Sequence, residues 1–118
     1  MEITIEAENT PAAAEAAEAF SALGASVRLE ILRALVRAGE AGMTVGALQE
    51  RLAMPGSTLS HHLRALTGCG VVVQRREGRS LICSARYDRL RSLAAFLLTE
   101  CCADIGEDNT EGPHAAQN

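Results

Sequence analysis

Apolar positions recur along this chain first at helical spacing, then at strand spacing, then at helical spacing again. Ala16, Phe20 and Leu23 stand at i, i+4 and i+7 in an Ala-rich stretch running from Pro11 to Gly24, which predicts an amphipathic helix. Ser26 is placed to cap a second helix over 27–38, stopped by Gly39. Val27, Leu29, Ile31, Leu32, Leu35 and Val36 cover most of its circumference, so it is expected to be the central buried helix, with Arg28, Arg33 and Arg37 outward. Thr44 suits the cap of a short third helix that turns Val45, Leu48 and Leu52 inward. Ala53-Met54-Pro55-Gly56 reads as a tight turn, and a fourth helix follows over about 57–67, closed by Gly68-Cys69-Gly70.

Two β-rich runs, 71–76 and 79–85, flank Glu77-Gly78, a two-residue hairpin signal. Asp88 is expected to cap a last helix to about residue 103. The order α-α-α-α-β-β-α, with two short helices joined by a tight turn and followed by a β-ribbon, predicts an α+β, mainly α, winged helix-turn-helix. The expected boundaries are a flexible arm over 1–11, one domain over 12–103 and an acidic disordered tail over 104–118.

Composition narrows the function. At 118 residues, 47% hydrophobic and 22% charged, the chain suits one globular domain. Aromatics are 3% with no Trp, so the core is aliphatic and a base-stacking single-strand binder is disfavoured. No apolar run approaches a membrane span, and no base precedes Arg28, so a cytoplasmic protein is expected. Its four Cys are then expected reduced. The net charge of −4 conceals an asymmetry: residues 20–99 hold all 11 Arg against five acids, a net of +6, between two purely acidic ends. A basic body with acidic tails fits a nucleic-acid binder, or a solvated surface on which Arg replaces Lys. There is no Gly-rich phosphate loop, no Cys-x-x-Cys and no nucleophile–base pair, so no enzyme and no required cofactor are expected.

On the fourth helix, Leu59, Leu63 and Leu66 form an anchoring stripe, while Ser57, Ser60, His61 and Arg64 form a polar stripe on another face, bordered by Thr58. Hydroxyls at a helix start can approach phosphates, though Ser57 and Thr58 are also ordinary cap residues. His61 and Arg64 can reach base edges in a major groove of double-stranded DNA. His62 points off the stripe and reads as a packed or hydrogen-bonded histidine. Arg75, Arg76 and Arg79 cluster around the hairpin turn, suited to gripping phosphate or to guarding a strand edge.

The run Ser57-Thr58-Leu59-Ser60-His61-His62-Leu63-Arg64-Ala65-Leu66, then Gly70-Val71-Val72 and Arg76-Glu77-Gly78-Arg79, resembles the ArsR/SmtB family of metalloregulatory repressors. So does Leu23-Gly24-Ala25-Ser26-Val27-Arg28-Leu29-Glu30-Ile31-Leu32, and the resemblance covers roughly 16–103. One departure is Pro55, where many members have a capping Ser, which shifts the expected helix start by about a residue. The resemblance implies a homodimer joined by its first and last helices, with repression relieved by a thiophilic ion. The family's arsenic-type Cys cluster on the third helix is missing, since 44–52 contains no Cys, and its zinc-type set fails because 88–105 contains no His.

What remains is Cys101-Cys102, with Cys101 continuing the stripe Leu90, Ala94, Leu97. Adjacent Cα atoms lie about 3.8 Å apart, too close for an unstrained disulfide, but two neighbouring thiolates can clamp one soft centre. Inorganic trivalent arsenic prefers three sulfurs, and a methylated arsenical needs two. Some arsenic-responsive members add a third Cys shortly after the pair, whereas 103–118 has none. The pair therefore favours a methylated or organic trivalent arsenical, with arsenite and antimony left open, unless Cys69 or Cys83 serves as third ligand; each of these two reads better as a small core residue. Two rivals stand beside this reading: a thiol-redox or persulfide trigger, and a winged helix used only for protein interaction.

Overall fold

The computed structural model describes the backbone of residues 11–107 and the side chains of residues 11–99. Eight elements follow in order: α1 (Ala13–Ala22), α2 (Ser26–Ala38), β1 (Met43–Thr44), α3 (Val45–Leu52), α4 (Gly56–Gly68), β2 (Val72–Glu77), β3 (Ser80–Ala85) and α5 (Tyr87–Glu107). The core is aliphatic: Ile31 and Leu35 from α2, Leu48 from α3, Leu59 and Leu66 from α4, and Val71 and Val72 entering β2 are all sealed from solvent. Each contributes about 1.5–3 kcal/mol of burial. The strands form one antiparallel sheet in the order β1-β3-β2. Val72 lies opposite Ala85 and Glu77 opposite Ser80, while Met43 of β1 lies opposite Cys83.

Thr44 caps α3 as expected, its Oγ1 accepting from the Ala47 amide at 3.0 Å. Ala53, at φ 52°, makes the left-handed stop that turns the chain toward α4. Other expectations shift. Ser26 is the first residue of α2 rather than its cap, and Ala25 precedes it without a side-chain bond. Helix α4 begins at Gly56, one residue before Ser57, with Pro55 in the cap position. Its fixed φ makes proline compatible with a helix entry.

The hairpin turn is Gly78-Arg79, one residue later than Glu77-Gly78, because Glu77 still pairs with Ser80. Gly78 at φ 63° holds the first central position of that turn, where a type II′ loop needs glycine. The two-residue strand β1 is an addition to the expected ribbon. Asp88 sits inside the first turn of α5, after Tyr87, and accepts from the Arg89 amide at 2.8 Å. Helix α5 continues to Glu107, beyond the expected end near 103. Helix α2 is not sealed all round: Ile31, Leu32, Ala34 and Leu35 face the core, while Val27, Leu29 and Val36 stay exposed, Leu29 at 46%. Among the described residues the domain packs one face of this helix and leaves the other without a neighbour.

Candidate nucleic-acid interface

Helix α4 divides its residues cleanly between core and solvent. Leu59, Leu63 and Leu66 are buried, fastening the helix along one seam. Ser57, Thr58, Ser60, His61 and Arg64 are all exposed on the remaining surface. The 13-residue helix is therefore presented as a ridge whose polar side is open along its length. Among the described residues no carboxylate pairs with Arg64, so its guanidinium keeps its full hydrogen-bonding fork.

The wing meets this ridge at a groove of about 270 Å³, lined by Ser60, Arg64 and Thr67 from α4 and by Gln74 and Leu81 from the ribbon. Gln74 is a wall of this groove that the sequence reading passed over. Its signal was an uncharged polar residue directly after Val71-Val72-Val73 and before the arginines. The amide of Gln74 donates from Nε2 to Cys83 Sγ at 3.3 Å, which fixes its orientation across the ribbon. Strand alternation puts Arg76 on the Gln74 face and Arg75 on the other.

The three wing arginines consequently separate. Arg75 donates from Nε to Glu77 Oε2 at 2.8 Å and from Nη2 to the Ala41 carbonyl at 3.1 Å, so it braces the ribbon against the loop before β1. Arg76 is exposed on the groove side, and Arg79 is exposed in the turn itself. The structure thus brings Ser60, Arg64 and Gln74 around one groove, sets Arg76 exposed on the same strand face as Gln74, opposite Leu81, places Arg79 in the turn, and holds Arg75 on the other face.

His62 leaves the polar stripe, as its phase required. Its Nδ1 accepts from Arg28 Nε at 3.0 Å, and its ring lies edge-on to His61 with centroids 5.5 Å apart. Partial withdrawal from water, then the Arg28 charge, then His61, hold its pKa below the ordinary histidine value. Cys69 and Cys83 are both buried. Burial pushes the Cys83 thiol up, against a smaller opposing effect of the Gln74 hydrogen bond, so it is held as a thiol. Among the described residues no three His, Cys, Asp or Glu side chains gather at metal-binding distance. Cys101 and Cys102 fall on the last turns of α5, and their side chains lie outside the described residues. One turn before them, Leu97 and Leu98 are exposed at 44% and 43%.

A ridge-and-wing surface of this kind defines a winged helix-turn-helix DNA-binding protein. The family described as a helix-turn-helix domain matches residues 23–75. The chain is 42% identical over 64 residues to the uncharacterized HTH-type transcriptional regulator MJ1325 of Methanocaldococcus jannaschii, covering 54% of this chain and 70% of that one. It is 41% identical over 80 residues to the HTH-type transcriptional regulator NmtR of Mycobacterium tuberculosis, covering 68% of this chain and 63% of that one. The solved structure of an ArsR-like transcriptional regulator from Rhodococcus sp. RHA1 superposes with a TM-score of 0.71 at 30% identity, over 89% of this chain and 95% of that one. The homodimeric winged helix-turn-helix DNA-binding domain of Mb0332 from Mycobacterium bovis gives 0.59 at 30% identity, over 77% and 80%. The chain belongs to the ArsR family of helix-turn-helix transcriptional regulators; it is a DNA-binding regulator and not an enzyme. Among the described residues no helix is long and apolar enough to cross a membrane.

Proposed function

We propose that this chain is a cytoplasmic repressor that sits as a homodimer on a two-fold duplex site, and that a trivalent arsenical captured by Cys101 and Cys102 releases it. The observation that carries the DNA-reading half is the open polar stripe of Ser57, Ser60, His61 and Arg64 opposite the buried leucine seam of α4. Ser57 and Thr58 lie at the helix start, where free amides and hydroxyls suit phosphate. Arg64 and His61 address base edges; Arg76 and Arg79 take backbone charge. Arg75 contributes to DNA binding through the ribbon it braces.

The dimer is supported by the homodimeric neighbour and by the apolar ridge of Leu97 and Leu98 on α5. Two reading heads related by a two-fold axis match successive major grooves. The sensing half is supported by elimination and by phase. Cys69 and Cys83 are buried, and Cys83 is bonded to Gln74. Cys101 and Cys102 extend the helix on which Leu97 and Leu98 stand one turn earlier, so ligand capture would act where the second subunit packs. Two adjacent thiolates complete an arsenic that already carries one carbon, which favours organic over inorganic trivalent arsenic. A coupling of about 1–3 kcal/mol weakens DNA binding 5–150-fold. The expected arm and tail, 1–11 and 104–118, lie almost wholly outside the described residues.

The test is displacement from a duplex that the wild-type chain selects from a random-sequence pool. Phenylarsenite and methylarsenite are expected to release it at lower concentration than arsenite or antimonite, with zinc and cadmium inert. Release by peroxide alone would replace the arsenical with a redox trigger, and a chain that binds no duplex would leave only a protein-interaction role.

A further inference from the structure

His62 is the residue of the recognition helix that faces the rest of the domain through a directional bond. The Arg28 guanidinium donates to its Nδ1 at 3.0 Å, and Arg28 Nη1 reaches the Ala22 carbonyl at 3.5 Å. One side chain therefore ties the end of α1 and the start of α2 to the middle of α4 across 34 residues of sequence. An arginine never gives up its proton in this setting, so His62 Nδ1 is the acceptor. That places the imidazole proton on Nε2 and requires a neutral ring.

Among the described residues the rest of the side-chain attachment of α4 is apolar. Leu59, Leu63 and Leu66 form a single buried seam, and apolar contact is non-directional. A helix held along one seam can roll about it. A roll of about 20° on a helix of ~5–6 Å radius moves its surface by about 2 Å. Hydrogen bonds to base edges tolerate only about 0.5 Å in length. A bond on the flank, off the seam, is what opposes such a roll.

We propose that Arg28 is a positioning residue for DNA reading: through the neutral, Nε2-protonated form of His62 it fixes the rotation of the recognition helix, so that Ser60 and Arg64 meet the bases in register. This rests on the DNA-reading role of α4. Among the described residues the charged and titratable groups facing His62 are Arg28 from α2 and His61 on α4 itself; the Ala22 carbonyl of α1 accepts from Arg28 and not from the imidazole. Protonating His62 turns the acceptor into a donor pointed at a guanidinium, which removes the bond and sets two cations side by side. Discrimination between sequences is lost on that side of the titration, while general attraction to phosphate is retained.

Two measurements on the full chain test this. Nitrogen-15 NMR of the histidine side chains is expected to show His62 bare at Nδ1 and protonated at Nε2 in the wild type. The second is the ratio of affinities for the selected duplex and a scrambled one, which cancels the loss of one positive charge. Arg28→Met is expected to lower that ratio about tenfold, and Arg28→Lys, which still donates, to retain most of it. His62→Gln, which can still accept, is expected to keep the ratio and lose its pH dependence; His62→Leu is expected to lose the ratio, and serves if Arg28→Met does not fold. An Nδ1-protonated His62, or a ratio unchanged in both Arg28→Met and His62→Leu, overturns the positioning role. A wild-type chain that selects no duplex overturns the DNA-reading role and this one with it, whereas a wrong tautomer in a chain that does select one overturns this one alone.

Discussion

Arg64 and Arg79 are both exposed and both lack a carboxylate partner among the described residues, yet they stand on elements with different access to a duplex. Arg64 projects from the middle of the ridge, where a major groove would place base edges. Arg64→Ala is expected to cost about 1–3 kcal/mol on the selected duplex and to relax discrimination, read by anisotropy on matched and mismatched duplexes. Arg79 occupies the ribbon turn. Arg79→Ala is expected to weaken all duplexes alike and to reduce the salt dependence of binding by about one charge. His62 gives a pH prediction. Its native pKa lies below the ordinary value, first because the ring is drawn from water, then because Arg28 and His61 stand beside it. The unfolded chain takes up that proton first, so folding stability falls as pH drops from about 6.5 toward the lowered native value and is whole above about 6.5. Thermal unfolding across that range is expected to show the fall, and Arg28→Met to reduce it.

The wing shows how much of an element follows from local sequence. Gly42, at φ 76°, lies where an added Cβ would collide with the Cys83 carbonyl and crowd Ile82. Gly42→Ala is expected to detach β1 from β3 and lower thermal stability by about 1–3 kcal/mol, with loss of amide-exchange protection at Met43 and Cys83, which lie opposite each other. This also explains why β1 escaped the sequence reading. A two-residue strand has no alternation to detect, and it forms because a glycine lets the backbone approach its partner. Longer elements were legible because 3.6-residue spacing in Leu59, Leu63 and Leu66, or glycine after α2, fixes them locally. The turn register was not, since it depends on the cross-strand ladder pairing Glu77 with Ser80. Apolar residues around all of α2 suggested full burial; a helix at the margin of a small domain keeps one such face open. Of the candidate interface, the exposure of the α4 stripe was readable from phase alone. The separation of Arg75 from Arg76 and the place of Gln74 needed the strand pairing.

A single chain leaves Val27, Leu29 and Val36 on α2 and Leu97 and Leu98 on α5 exposed, and such apolar faces mark association surfaces. Leu97→Glu combined with Leu98→Glu is expected to yield a monomer by sedimentation, with its fold intact and its duplex affinity strongly reduced. The charge of the whole chain fits the same picture, since residues 20–99 carry +6 and the acidic ends carry none of the 11 arginines. On the proposed function, the thiol pair Cys101-Cys102 is what distinguishes an arsenical-responsive regulator from a winged helix that merely binds DNA. The most direct measurement is release of the duplex-bound chain by phenylarsenite, wild type against Cys101→Ser with Cys102→Ser. The wild type is expected to dissociate, while the double variant binds the duplex with unchanged affinity and stays bound; equal release of both would contradict the role assigned to the pair.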